Sequence, residues 1–255
     1  MDQIICESRG AILRIEINRP EKKNALTSAM YQAMADAIHA AETDSKVRVV
    51  LIHGKEDLFT AGNDLQDFLD NPPRDDEQPA FRFLYGISQA QKPIVAAVAG
   101  AAVGIGTTML LHCDLVYAAP NARLQLPFVS LGLVPEAGSS LLLPALVGYQ
   151  RAAELLLLGE PFSAQKAMEI GLVTEVVPAD RLFDTAMVQA IKLARLPAAS
   201  LRLTKRLMKQ GQTAAVLQQI KLESGHFGER LASPEAKEAF SAFLEKRKPD
   251  FGRFD

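Results

Sequence analysis

Two glycine turns and one isolated acid are the residues of this 255-residue chain best suited to chemistry. The first turn is Phe59-Thr60-Ala61-Gly62-Asn63-Asp64-Leu65. The second is Ala99-Gly100-Ala101-Ala102-Val103-Gly104-Ile105-Gly106. Each falls between a strand pattern and the start of a helix, where backbone N–H groups are unpaired and glycine lets a ligand come close. Two such turns side by side can aim two N–H groups at one oxygen, as an oxyanion hole. Spacing alone also fits plain strand-to-helix punctuation, and by itself favours it. The acid is Glu136, in Pro135-Glu136-Ala137-Gly138, alone in an otherwise apolar stretch from Leu124 to Gly148. A carboxyl in an apolar wall has its pKa raised, which suits proton transfer. An acid in a surface loop or at a helix N-terminus is the equal alternative.

Other chemistries fit less well. His39, His53, His112 and His226 stand apart from one another and from Cys6 and Cys113, so no metal spacing exists. Gly104-Ile105-Gly106 lacks the third glycine of a dinucleotide loop, because Met109 holds that place. No Gly-x-Ser-x-Gly elbow occurs. The chain has 28 basic and 30 acidic residues and a net charge of −2. That balance argues against nucleic acid or an anionic membrane surface as partner. The uncharged run from Pro93 to Leu111 is split by Pro93 and its glycines, and reads as strand, loop and buried helix rather than a membrane span. Met1-Asp2-Gln3 does not open a signal peptide. Two reduced thiols and a cytoplasmic location are expected.

The elements that must hold these groups follow from periodicity. Ala11 to Ile17 alternates, with Arg14 and Glu16 on the polar face of a half-buried strand. Thr27 caps a helix with the stripe Met30, Met34, Ile38 and Ala41. Val47 to His53 is a strand, Asp64 to Leu69 a short helix, Ala80 to Gln91 a helix and Ile94 to Ala99 a buried strand. Asn71 to Pro79, with three prolines and three acids, is the segment best read as mobile surface. Gly104 to Cys113 is a buried helix; Asp114 to Ala118, Arg123 to Leu126, Leu131 to Val134 and Val173 to Val177 are short strands. Tyr149 to Leu158, Ser163 to Ile170 and Ala179 to Leu196 are helical, and only helices follow Ser200. The class is α/β with a helical tail.

At these residues the sequence resembles the crotonase family, the enoyl-CoA hydratase/isomerase superfamily. The resemblance rests on Asn18-Arg19-Pro20 with Asn24-Ala25-Leu26, on both glycine turns with Cys113-Asp114 after the second, on Phe162-Ser163-Ala164 with Gly171-Leu172-Val173, and on the tail Ala242 to Pro249. It implies a crotonase-like spiral of ββα units over residues 1–195 and a helical trimerisation region over 196–255. It implies an acyl-CoA thioester as substrate, with coenzyme A part of that substrate and no separate cofactor, and a homotrimer or dimer of trimers. The thioester oxygen would sit between the N–H groups of Asn63 and Ile105. Lys22, Lys23 and Ala25 and the turn Thr60, Ala61, Gly62, Asn63, Asp64 and Leu65 would hold the CoA. Phe243 and Lys246 would reach the CoA of a neighbouring subunit.

Where hydratases of this family carry two glutamates, this chain has Thr108 and Phe128. Gly62-Asn63-Asp64-Leu65 and Pro135-Glu136 before Gly138-Ser139-Ser140 look instead like the Δ3,Δ2-enoyl-CoA isomerases, which use a lone glutamate at the place of Glu136. The expected activity is therefore the shift of a 3-enoyl-CoA double bond to the 2-position. A hydratase or other crotonase-type reaction, or a silent acyl-CoA binder, is the alternative. Phe81, Phe83, Leu84 and Phe128 are candidates for the acyl tunnel, against ordinary core packing.

Overall fold

The computed structural model describes residues 2–55, 57–70 and 78–254. Most of the proline-rich surface segment, residues 71–77, lies outside the described residues.

β1 (Ile4–Arg9) and β2 (Ile12–Ile17) form an antiparallel hairpin. The sequence does not announce β1: Ile4-Ile5-Cys6-Glu7-Ser8-Arg9 has no alternation, and its residues are half-buried or exposed. Helices and strands then follow as α1 (Ser28–Thr43), β3 (Val49–His53), α2 (Leu65–Asp70), α3 (Pro79–Gln89), β4 (Ile94–Val98), β5 (Ala101–Val103), α4 (Ile105–Thr108), β6 (Leu115–Ala118) and β7 (Arg123–Gln125). The remainder is α5 (Ser139–Val147), α6 (Tyr149–Ala153), β8 (Phe162–Ser163), α7 (Ala164–Glu169), β9 (Glu175–Val176), α8 (Leu182–Arg195), α9 (Ala198–Leu231) and α10 (Pro234–Leu244). Thr27 caps α1, accepting from the Met30 N–H at 3.3 Å, and the stripe Met30, Met34, Ile38 and Ala41 is buried.

Six strands make one sheet in the order β1-β2-β3-β4-β6-β9, parallel except for the first pair. β5, β7 and β8 make a second, smaller sheet. The large sheet is covered on both faces, as parallel sheets require. Ile15, Ile17, Val50, Ile52 and Val98 pack into the same core as α1 and α3. Ile12, Val49, Leu51, Val95 and Tyr117 pack with Leu182, Ala186 and Ala190 of α8. The two sheets and their helices form the crotonase-like spiral that the resemblance implied.

Two expectations change, and one helix goes unannounced. Arg14 is not on a wet face, because α8 covers it. Its guanidinium donates to Glu7 (3.0 Å), Glu16 (2.8 Å) and His53 Nε2 (3.1 Å), and lies over the Phe183 ring. Leu131 to Val134 is not a strand. A 3-10 turn covers Val129–Leu131, Gly132 turns back at φ 68°, and the Leu133 N–H donates to Phe128 O at 2.8 Å instead of to a ladder. α5 lacks a one-sided stripe, since Leu141-Leu142-Leu143 is apolar all round, so periodicity does not mark it.

The C-terminal helices are not an appendage. Val216, Ile220, Phe227 and Leu231 of α9 and Phe240 of α10 enter the main core. Leu203, Leu207, Met208, Leu222, Phe243 and Leu244 remain exposed. Among the described residues no helix is long and apolar enough to cross a membrane.

Candidate active site

Asn24 ties the loop before α1 to the first glycine turn. Its side chain is buried; Oδ1 accepts from the Arg19 N–H (2.7 Å), and Nδ2 donates to the carbonyls of Ile17 (3.0 Å) and Phe59 (2.9 Å). The Thr60 hydroxyl donates to Asn24 O (2.6 Å) and accepts from the Gly62 N–H (3.1 Å). Arg19 donates to Ala25 O (3.0 Å) and pairs with Asp64 (2.6 Å). Asp64 Oδ1 accepts from the N–H groups of Gln66 and Asp67 and so starts α2.

The two glycine turns lie edge to edge. The Thr60 N–H donates to Ala101 O (2.8 Å), and the Val103 N–H to Thr60 O (3.1 Å). On the other side the Leu26 N–H donates to Gly62 O (2.8 Å), and the Asp64 N–H to Leu26 O (2.9 Å). In this parallel bridge Asn63 turns its own N–H away from Leu26. Ile105 opens α4, so its N–H has no carbonyl one turn earlier. Among the described residues no acceptor meets either N–H. Glycine permits the approach: a Cβ on Gly62, at φ 93°, would lie 2.9 Å from Val103 O, and one on Gly106 would lie 2.7 Å from Thr60 Cγ2.

Glu136 faces a small cavity beside Asn63, walled by Phe68, Ala80, Phe81, Leu84 and Phe227. Phe68 and Phe227 meet edge to face at 5.7 Å. Among its described lining residues Glu136 is the one carboxylate, and none is a lysine or arginine. Burial pushes the Glu136 carboxyl up from 4.5 to about 8. The Thr108 hydroxyl, which donates to Oε1, works against that rise, and the charge of Glu223 adds to it. Tyr31 donates to Asn63 Oδ1 at 2.5 Å. Burial, then the Glu136 charge, raises the Tyr31 phenol, which keeps it a donor. A larger cleft of about 630 Å³ lies on the α8 side of the large sheet. Its central groups, Arg14, Glu16 and His53, are bonded to one another, with His53 Nδ1–H donating to Gly54 O at 2.6 Å.

The sequence-selected residues fall into four groups. Lys22 and Lys23 are exposed on the loop whose Lys23 carbonyl accepts from the Ala61 N–H (3.0 Å). They, Ala25 and the turn from Thr60 to Leu65 therefore form one continuous stretch, although Thr60 is itself buried with its hydroxyl used inside. Asn63 and Glu136 share the cavity, while Ile105 presents its N–H beside the first turn and buries its side chain. Phe243, at the exposed end of α10, and Lys246, just past it, do not line the cavity. Phe81 and Leu84 line it; Phe83 and Phe128 belong to the core. Tyr31 and the hydroxyl of Thr108 are functional neighbours that sequence reasoning missed. Tyr31 sits next to the α1 stripe and looks like core; Thr108 is legible only as the absence of an acid.

The chain matches the enoyl-CoA hydratase/isomerase family over residues 7–253. It is 35% identical over 255 residues to 2,3-dehydroadipyl-CoA hydratase of Escherichia coli (strain K12), covering 98% of this chain and 99% of that one. It is 38% identical over 216 residues to enoyl-CoA delta isomerase 2 of Rattus norvegicus, covering 82% of this chain and 55% of that one. The crystal structure of enoyl-CoA hydratase/isomerase from Pseudoalteromonas atlantica T6c superimposes with a TM-score of 0.94 at 44% identity, covering 98% of this chain and 100% of that one. With the spiral fold, the paired glycine turns and these matches in hand, the chain belongs to the enoyl-CoA hydratase/isomerase family, whose crotonase fold it shares.

Proposed function

We propose that the protein is an enoyl-CoA isomerase that moves a double bond from the 3- to the 2-position of an acyl-CoA. The observation that carries this reading is that, among the described residues, Glu136 is the one carboxyl lining an apolar cavity beside turns that leave the N–H groups of Asn63 and Ile105 without an acceptor. The thioester oxygen would accept from those two N–H groups. Glu136 would take the C2 proton; the electron pair would delocalise onto the thioester oxygen as an enolate, and the same carboxyl would return the proton at C4. Losing one oxyanion donor typically costs about 10²–10³ in rate. A raised pKa suits the task, because a base poised near neutrality both accepts and returns a proton.

Lys22, Lys23, Ala25 and Thr60 to Leu65 would carry the CoA moiety, with Phe243 and Lys246 reaching the CoA of a neighbouring subunit in a trimer or dimer of trimers. The exposed Leu203, Leu207, Met208, Phe243 and Leu244 support such assembly. The free thiols of Cys6 and Cys113 support a cytoplasmic setting. Hydration is the second reading, favoured by the hydratase names among relatives of equal similarity. Against it, the two hydratase acid positions hold Thr108, which serves Glu136, and Phe128, which is core.

The test is Glu136→Gln assayed on 3-enoyl-CoA and 2-enoyl-CoA, with product mass. Isomerisation leaves mass unchanged and hydration adds water. The expected result is wild-type isomerase turnover that falls at least ~10²-fold in the variant. Wild-type-like isomerisation by the variant, or hydration as the main reaction, would overturn the reading.

A further inference from the structure

The Glu136 loop is held from α9. Ala137 has φ 62° and Gly138 φ 71°, two successive left-handed residues, the first of them not glycine. Such a turn persists only where its surroundings fix it. Glu223 supplies much of that. Its Oε2 accepts from the Gly138 N–H at 2.6 Å; its Oε1 accepts from the Ser140 N–H at 2.9 Å and the Ser140 hydroxyl at 2.5 Å. Gln219, one turn earlier, donates to the same hydroxyl at 2.8 Å. The Glu223 residue is buried, 5% exposed. On the opposite side His112 Nε2–H donates to Ala137 O at 2.7 Å.

We propose that Glu223 is the positioning residue of the Glu136 loop: its buried carboxylate grips the backbone of Gly138 and Ser140 at the start of α5 and so fixes where the Glu136 carboxyl points. The proposal rests on the reading of Glu136 as the proton carrier. A buried carboxylate is costly to keep in a helix that packs otherwise through Val216, Ile220 and Phe227. Three donors at the N-terminus of α5 offset part of that cost, and burial still holds the Glu223 carboxyl above its usual range. The grip costs nothing in reach: Ser224, the next residue, lines the cavity itself.

The same placement sets two negative groups near each other. Glu136 is faced by the hydroxyls of Thr108 from α4 and Tyr31 from α1, and Glu223 by Ser140 and Gln219. His112 is neutral, since burial holds it down to about 4, with Lys209 and Lys205 acting in the same direction. Glu223 is thus the acid whose charge raises Glu136, and removing that charge lowers the Glu136 titration midpoint. Removing its reach loosens the loop, and a base misplaced by about 1 Å loses on the order of 10²-fold in rate.

Two substitutions separate these effects. Glu223→Gln keeps the shape, removes the charge and turns one amide N–H₂ against a backbone N–H. Glu223→Asp keeps the charge and is one methylene too short to hold both Gly138 and Ser140. The Glu136 carboxyl is titrated in the substrate-free protein by ¹³C-glutamate NMR, with Glu136→Gln identifying its signal, and kcat and KM are measured on 3-enoyl-CoA near pH ~10, where Glu136 is ionised in wild type and variants alike. Glu223→Gln is expected to lower the midpoint and to cut kcat by about tenfold or more, with KM near wild type. Glu223→Asp is expected to cut kcat likewise without lowering the midpoint. Should the Gln variant fail to fold, the Asp arm decides alone. Wild-type kcat in a folded Glu223 variant overturns the proposal, even if its melting temperature drops, because a residue that only supports the fold leaves kcat and midpoint unmoved. If Glu136→Gln retains isomerase turnover, the isomerase reading fails, while the titration still judges the link between Glu223 and Glu136.

Discussion

Thr108 stands where a hydratase of this family would carry an acid, and here its hydroxyl donates to Glu136 Oε1. Thr108→Val keeps the branched shape in a fully buried position and removes that donor. A hydrogen bond to a charged group contributes about 1.5–3 kcal/mol, and 1.36 kcal/mol is one pKa unit. The Glu136 midpoint should therefore move from about 8 to roughly 9–10. The base must be ionised to take the C2 proton, so kcat/KM rises with pH up to that midpoint and is flat above it. At pH 7 about one Glu136 in ten is ionised in the wild type, and about one in a hundred to one in a thousand in the variant. The isomerase kcat/KM at pH 7 should fall about 10- to 100-fold, and most of the loss should vanish near pH 10. The assay follows the absorbance of the conjugated 2-enoyl thioester between pH 6 and 10. Thr108→Ser, which keeps the hydroxyl, should retain a midpoint of about 8. Superimposable profiles for wild type and Thr108→Val would refute the reasoning.

Three further outcomes are expected. Glu136 binds its proton more tightly folded than unfolded, so the wild type loses stability as pH rises from about 4.5 through about 8. Glu136→Gln should therefore be more stable than wild type at pH 8.5, by about 4–5 kcal/mol on denaturant unfolding, with most of the gain gone near pH 5; an equal difference at both pH values would contradict the raised pKa. Lys246→Ala should raise KM for acyl-CoA several-fold, more at low salt, with kcat unchanged, because a charge on a phosphate is screened and takes no part in the proton transfer; an unchanged KM would make Lys246 an ordinary solvated charge. Asn24→Ala leaves the Ile17 and Phe59 carbonyls and the Arg19 N–H without their side-chain partner, and should cost about 2–4 kcal/mol of stability by denaturant unfolding, together with a fall in kcat as the first turn loosens.

Much of the frame was legible because it is periodic. The α1 stripe behind Thr27, the buried strands Val49–His53 and Ile94–Val98 and the long C-terminal helices each repeat a pattern that only one kind of element satisfies. β1 and α5 were not, since one lacks alternation and the other is apolar on every side. The polar face of β2 misled for a different reason. Arg14 looks like a solvent contact until α8, more than 160 residues later, is seen to cover it. Of the site, the glycine turns and Glu136 were legible because glycine spacing and a lone acid in an apolar run are local signals. Glu223 and Tyr31 were not, because what they do depends on contacts to residues 83 and 32 positions away.

The company Glu136 keeps also explains why its neighbours are hydroxyls and amides rather than cations. A lysine or arginine beside it would hold the carboxyl ionised, but would also lower its affinity for the proton it must carry. Arg19, in the loop that packs on the first turn, is committed to Asp64 at 2.6 Å, and Lys205 is committed to Asp114 at 2.6 Å. Thr108 instead supplies one neutral donor, which offsets only part of the burial. A carboxyl so placed keeps its basicity near neutral pH while Thr108 holds one of its oxygens and Glu223 holds the loop that carries it. On the proposed mechanism that balance is what one carboxyl needs in order to take a proton from C2 and return it to C4, since a base that is too weak does the first step poorly and one that is too strong does the second poorly.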